Sequence, residues 1–268
     1  MEIRSLFFVQ LLLLHISPAQ AVPRPPTDRW IVSFDDSQCV AQRNYGTKEK
    51  PVHLILKQPP LGEVMQLAVV EDRGAGNPVQ YEGSIRFDNL PPLKLNVLKF
   101  EPKNANVRTY LFNVPLTDFV AFRSAKSVAF SARGLSEEFA LSGAEPLLKV
   151  MDNCIADLRQ VWNVAVSGLE TTASIAGPQG SLAKVFSPDD YPPAAMDSMQ
   201  GGTVRVTVLI DEQGKVADCS IVETSTSASL DGQTCAVIRE RARFKPAKDA
   251  SGKAVKGAFQ QRITWQIQ

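Results

Sequence analysis

Residues 203–210 read Thr-Val-Arg-Val-Thr-Val-Leu-Ile. Val204, Val206, Val208 and Ile210 alternate with Thr203, Arg205, Thr207 and Leu209. A period of two puts the three valines and Ile210 on one face of a strand. Asp211-Glu212-Gln213-Gly214 follows as a short turn in which Gly214 is free to take positive φ. The return strand runs over residues 215–223 and contains Cys219. A Ser/Thr-rich bend leads to a helix over 230–243, with Cys235, Ile238 and Ala242 on one face and Pro246 as its stop. Residues 249–253 hold a turn around Gly252, and the last strand spans 259–267. There Ile263, Trp265 and Ile267 face one way, and Arg262, Thr264 and Gln266 the other. Upstream, Tyr191-Pro192-Pro193 opens a short helix over 194–199, stopped by Gly201-Gly202. The order helix, strand, strand, helix, strand predicts a three-stranded antiparallel sheet with its helices on one face. The final strand falls at a sheet edge, where its N–H and C=O groups are available.

Further outward the signal is coarser. Residues 22–28 are Pro-rich and polar and read as a flexible start. Short β-type runs follow at 30–34, 39–45, 53–56, 64–70, 83–87, 93–99, 107–113 and 127–132, separated by Gly, Pro, Asn and Asp. Asp35-Asp36-Ser37-Gln38 is a turn between the first two. A helix comes next, with Ser142 as N-cap and Glu145 three residues on, a capping-box pattern that tolerates Pro146 in the first turn. Leu147, Met151, Cys154, Ile155, Leu158 and Trp162 form one apolar stripe. Such a stripe serves core packing far more often than a partner or cofactor. Residues 167–181, SGLETTASIAGPQGS, lack periodicity and read as a linker. No internal repeat is visible.

The fold class expected is therefore α+β, in four parts. Residues 1–21 are a leader, 22–165 a sheet-rich domain ending in one helix, 166–181 the linker, and 182–268 the three-stranded domain with two helices. The leader rests on a mostly apolar run over 6–16, Pro18, and Ala19-Gln20-Ala21, the small-x-small pattern of a cleavage site after Ala21. The run is too short for a spanning helix. An uncleaved anchor is the competing reading.

Composition limits the chemistry. Lys and Arg total 29 against 28 Asp and Glu, a net charge of +1, so no whole-surface field draws nucleic acid or acidic lipid. The chain has two His, and cleavage removes His15, leaving His53. Four Cys without a C-x-x-C pair favour disulfides over a metal in an exported chain. Cys219 and Cys235 lie in one segment, which leaves Cys39 for Cys154; free buried thiols are the alternative. His53 sits between Val52 and Leu54 on an expected strand, a poor place for a catalytic base. Asp35 and Asp36 belong to turn chemistry. Gly74-Ala75-Gly76 lacks the Lys-Ser/Thr of a phosphate loop. Neither a metal site, a cofactor nor an enzyme activity is expected. The basic run Arg239, Arg241, Arg243, Lys245 and Lys248 suits a helix C-terminus better than an anionic polymer.

Residues 188–267 resemble the C-terminal domain of the TonB family of energy transducers. The resemblance rests on Tyr191-Pro192, Ala195, Gly202 before Val204, Val206 and Val208, and Gly214-Lys215-Val216. It continues through Leu230-Asp231, Arg241, Phe244-Lys245-Pro246-Ala247, Gly252, Val255 and the β-type ending at Trp265. Cys219 and Cys235 resemble a disulfide-bearing variant of that domain in exported bacterial proteins. The resemblance implies a periplasmic location and a grip on an extended segment of an envelope protein, such as a TonB-dependent outer-membrane transporter. It implies strand addition to the last strand, here Gln260, Gln261, Arg262, Ile263, Thr264 and Trp265. A homodimer through the same edge is a second use it leaves open. A transducer keeps its membrane helix and a long Pro-rich spacer, whereas this chain has a cleavable leader and a folded domain. The expectation is therefore an exported interaction module, with a membrane-anchored transducer as the alternative.

Overall fold

The computed structural model describes residues 22–72, 78–101, 106–164, 177–178 and 182–267. The leader, Gly74-Ala75-Gly76 and most of the linker lie outside these. The first half contains β1 (Ile31–Phe34), β2 (Cys39–Asn44), β3 (Val52–Gln58), β4 (Val64–Asp72), β5 (Val79–Phe87), β6 (Leu93–Phe100) and β7 (Val107–Pro115). It continues with α1 (Leu116–Phe119), β8 (Ser127–Ala132), β9 (Leu135–Ala140) and α2 (Ala144–Val161). The nine strands form one antiparallel sheet in the order β1-β2-β3-β4-β7-β6-β5-β8-β9. Apolar residues along the inner strands and β9 supply the core face: Leu54, Leu56, Leu67, Val97, Phe112 and Phe139 are fully buried there.

α2 covers this core with the expected stripe. Leu147, Met151, Cys154, Ile155, Leu158 and Trp162 are all buried, and Cys154 is bonded to Cys39 on β2 with their Cα atoms 6.1 Å apart. The expected capping box does not form. Gly143 is the N-cap, in a left-handed conformation at φ 73°, and no side chain caps the helix. Ser142 stands one residue outside, where its carbonyl accepts Trp30 Nε1 (3.3 Å) and Arg43 Nη1 (2.6 Å).

Two other expectations change. Residues 135–140 were not expected as a strand, because Ser136, Glu137 and Glu138 interrupt the apolar pattern; those carboxylates are paired in place, Glu137 with Arg24 and Glu138 with Arg86 and Ser127. The Pro-rich start is held rather than loose. Arg24 N–H donates to Glu138 O (2.7 Å), Ala140 N–H donates to Arg24 O (2.9 Å), and Thr27 N–H donates to Asn44 O (2.9 Å).

The second half contains β10 (Gly177–Pro178), α3 (Pro193–Asp197), β11 (Gly202–Ile210), β12 (Val216–Glu223), α4 (Ala228–Arg241), β13 (Phe244–Lys245), β14 (Ala247–Lys248), β15 (Ala254–Val255) and β16 (Gly257–Trp265). β12-β11-β16 is the three-stranded antiparallel sheet. Val204, Val206, Val208 and Ile210 are 0 % exposed under α4, whose Leu230 and Ile238 complete the core. Cys219 on β12 is bonded to Cys235 on α4. Gly214 has φ +78°, and a Cβ there would lie 2.0 Å from Phe244 O, so the turn requires glycine. α4 ends at Arg241, before Pro246, because Ala242 turns extended and Phe244 folds into the core as β13. β10, inside the expected linker, pairs with β13. Among the described residues no helix is long and apolar enough to cross a membrane.

Candidate functional site

β16 pairs with β11 along its whole length, from Gly257 opposite Ile210 to Trp265 opposite Gly202. The six expected residues are consecutive here: Gln260 faces Thr207, Gln261 Val206, Arg262 Arg205, Ile263 Val204, Thr264 Thr203 and Trp265 Gly202. Among the described residues no strand pairs with the other side of β16. In an antiparallel strand alternate residues turn their N–H and C=O away from the neighbour. β16 therefore offers a row of backbone donors and acceptors about 30 Å long, from about 3.4 Å per residue over its nine positions. Arg205 and Arg262 stand directly opposite, an unfavourable pair. Glu223 of β12 offsets it, 2.5 Å from Arg205 and 3.5 Å from Arg262.

The other outer strand of the same sheet is not free. Gln66 Nε2 of β4 donates to the backbone carbonyl of Ile221 on β12 (3.1 Å). Gln80 Nε2 of β5 donates to Thr224 Oγ1 (2.7 Å), just past the end of β12, and to Asp231 Oδ2 (2.9 Å) in the first turn of α4. Asp231 is buried and also accepts Ser225 N–H (2.8 Å) and Ser225 Oγ–H (2.7 Å), so the Ser/Thr-rich bend is wrapped around one carboxylate.

The sheet face opposite α4 is covered over Thr207 and Leu209, while Thr203, Arg262 and Thr264 on that face stay exposed. Thr207 Oγ–H donates to Leu61 O (3.0 Å), and Leu209 is buried within the core of the first half, with Ala258 beside it. Burying one such leucine is worth roughly 1.5–3 kcal/mol, more than the ~1 kcal/mol net of a typical hydrogen bond. The apolar contact therefore carries the docking and the polar ones set its position. The alternation in 203–210 thus marks which face meets α4, and not which face meets solvent. A cleft of about 690 Å³ remains between the halves, lined by Glu63, Asn96, Asn113, Arg205, Glu223 and Thr224 among others.

At the Trp265 end β16 meets an aromatic cluster. The Trp265 ring is 5.4 Å, centroid to centroid, from both Phe186 and Tyr191, each edge-on. Trp265 Nε1–H donates to Thr234 Oγ1 of α4 (2.8 Å), and Tyr191 O–H donates to Gln200 O (2.5 Å). Asp190, next to Tyr191, is buried. Burial would raise its pKa, yet hydrogen bonds from Ser187 and the guanidinium of Arg241 at 2.8 Å hold the carboxyl below its usual range. The roles of Phe186, Thr234 and Asp190 were not read from the sequence. The aromatic spacing of Phe186 and Tyr191 ahead of a short helix was the available signal.

The other sequence candidates fall elsewhere. His53 lies half-buried at the second position of β3, between Asn44 and Val70 of the neighbouring strands. Asp35 and Asp36 form the β1–β2 turn, where Asp36 N–H donates to Asp35 Oδ1 (2.9 Å). Of the basic run, Arg239 donates to Cys219 O (2.7 Å), Arg241 to Asp190, and Arg243 to Ala242 O (2.7 Å).

Comparison with curated proteins gives no match to the chain. No family model matches the N-terminal half. Residues 187–267, which take in α3, α4, the three-stranded sheet and all of β16, match the family described as Gram-negative bacterial TonB protein C-terminal.

Proposed function

We propose that this chain is an exported envelope protein that binds an extended segment of another envelope protein by strand addition to β16. One observation carries the reading. The three-stranded sheet has part of its open face and one outer strand engaged by the first half, while among the described residues no strand pairs with the outer side of β16 along its nine positions. A bare edge that long is an aggregation hazard unless it has a use. Backbone pairing tolerates varied partner side chains, which suits a module with little net charge. The family match supports a periplasmic setting and a TonB-dependent outer-membrane transporter as one class of partner. The role is binding and not catalysis.

The test is photocrosslinking in intact cells from a benzophenone side chain at the exposed positions 262 and 264. The expected product is one envelope protein, attached through a short extended segment and lost on proline substitution within β16. Crosslinks only to folded surfaces, or none in the envelope fraction, overturn the reading.

A further inference from the structure

The end of β16 opens into a pocket of about 380 Å³. Its walls come from three places in the chain: Phe186 and Pro188 before α3, Tyr191 and Met196 around it, and Trp265 and Ile267 at and beyond the strand. The remaining wall residues, Ser187, Thr264 and Gln266, are uncharged too. Met196 and Ile267, on its rim, are 48 % and 38 % exposed, so the rim presents apolar surface to an incoming group. The back wall is fixed before any ligand arrives. Trp265 is tied to α4 through Thr234, and Tyr191 is tied to Gln200. A preformed wall avoids the ordering cost of binding.

We infer that this pocket receives one large apolar side chain, aromatic, leucine or methionine, from the segment that pairs with β16. The inference rests on the strand-addition reading and adds a sequence requirement to it. Backbone pairing alone reads no side chain, so a specific partner needs at least one anchoring residue. Thr264 and Trp265 belong both to the unpaired edge and to the pocket wall, so a paired segment reaches the pocket without a break. The absence of any charge in the wall sets the chemistry of the occupant, because an ion there would be desolvated without a counter-charge. An aromatic cluster can also hold a cation. The competing occupant, a lysine or arginine side chain, is therefore a named outcome below.

The probe is a phage library of random ten-residue linear peptides, selected on the full oxidised chain. Expected are peptides whose binding is lost on proline substitution in β16 and which share one large apolar residue at one end. Its replacement by alanine weakens binding by about 10- to 100-fold, the equivalent of losing one buried side chain. Met196→Trp fills the pocket from an exposed position and Ile267→Lys charges its rim. Each removes that preference while leaving the residual, backbone-driven binding. Peptides that need β16 but show no apolar preference, or that show Lys or Arg instead, overturn the pocket assignment and leave strand addition standing. Failure to obtain any peptide that depends on β16 overturns both.

Discussion

β12 and β16 are the two outer strands of one sheet, eight and nine residues long, and they differ in what holds them. β12 is bonded to α4 through Cys219 and Cys235, accepts Gln66 at Ile221, and ends in a bend locked by Asp231 and Gln80. β16 is held by its pairing with β11, by Trp265 on Thr234, and by Asn163 Nδ2 donating to Lys256 O (2.9 Å) at its start. The Lys256 ammonium also lies over the Trp162 ring, 5.0 Å from its centroid. The first half is thus a brace. It touches β12 and part of one face, and among the described residues leaves the outer side of β16 without a strand. If the proposed strand addition takes place, this packing directs it to β16 rather than to β12.

The largest expected effect comes from breaking β16 itself. Of the adjacent substitutions Gln261→Pro and Arg262→Pro, one removes an N–H that points away from β11 and the other removes a ladder bond. The first leaves the thermal melt close to the parent and abolishes binding of β16-selected peptides. The second lowers both. Calorimetric titration beside thermal melts separates them, and unchanged binding in both variants would break the comparison.

Next comes the bridge on the held side. Replacing Cys219 and Cys235 by Ser together opens a loop of 16 residues, worth about 3 kcal/mol in the chain-entropy model. Denaturant melts record that loss. The account expects amide exchange to rise in β12 and α4 first, with β16 following only at global unfolding. Smaller again is the brace. Gln66→Ala and Gln80→Ala each remove hydrogen bonds to β12 or its bend, for roughly 1 kcal/mol apiece. Exchange at residues 220–224 is expected to quicken, with peptide affinity at β16 within twofold of the parent.

The smallest effect is acid sensitivity at the Trp265 end. The Asp190 carboxyl is held below its ordinary value in the folded chain, so it adds stability above the unfolded value of about 3.9. That stability is lost as pH falls through the folded value. Asp190→Asn removes this part of the acid limb, which stability curves between about pH 2 and 5 measure directly. An unchanged acid limb would mean that Arg241, 44 % exposed, contributes little to Asp190.

What was legible in the sequence follows from where a residue's partner lies. The period-two pattern of 203–210 and the 3–4 spacing from Leu147 to Trp162 are local, and both elements stand where that spacing put them. Cys219 and Cys235 lie in one segment, which leaves Cys39 for Cys154, and both bridges are present. β9 was illegible because its carboxylates find Arg24, Arg86 and Ser127 only after folding. The capping box at Ser142 failed because Gly143 supplied a left-handed turn that a pattern of side chains does not reveal. The brace was hidden for the same reason. Thr207 and Leu209 alternate with the apolar face of the strand, and only the first half's own fold brings Leu61 to Thr207 and its core to Leu209. The place of Gln260 to Trp265 on an outer strand follows from the family pattern, whereas the pocket beside them needs three separated segments to meet.

The most direct test is residue-resolved amide exchange of the full oxidised chain, with and without a saturating β16-selected peptide. The account predicts that protection is gained at alternate amides within 257–265 and is unchanged across 216–223. Protection gained along β12, or spread over the nine-stranded sheet with none in β16, would contradict it.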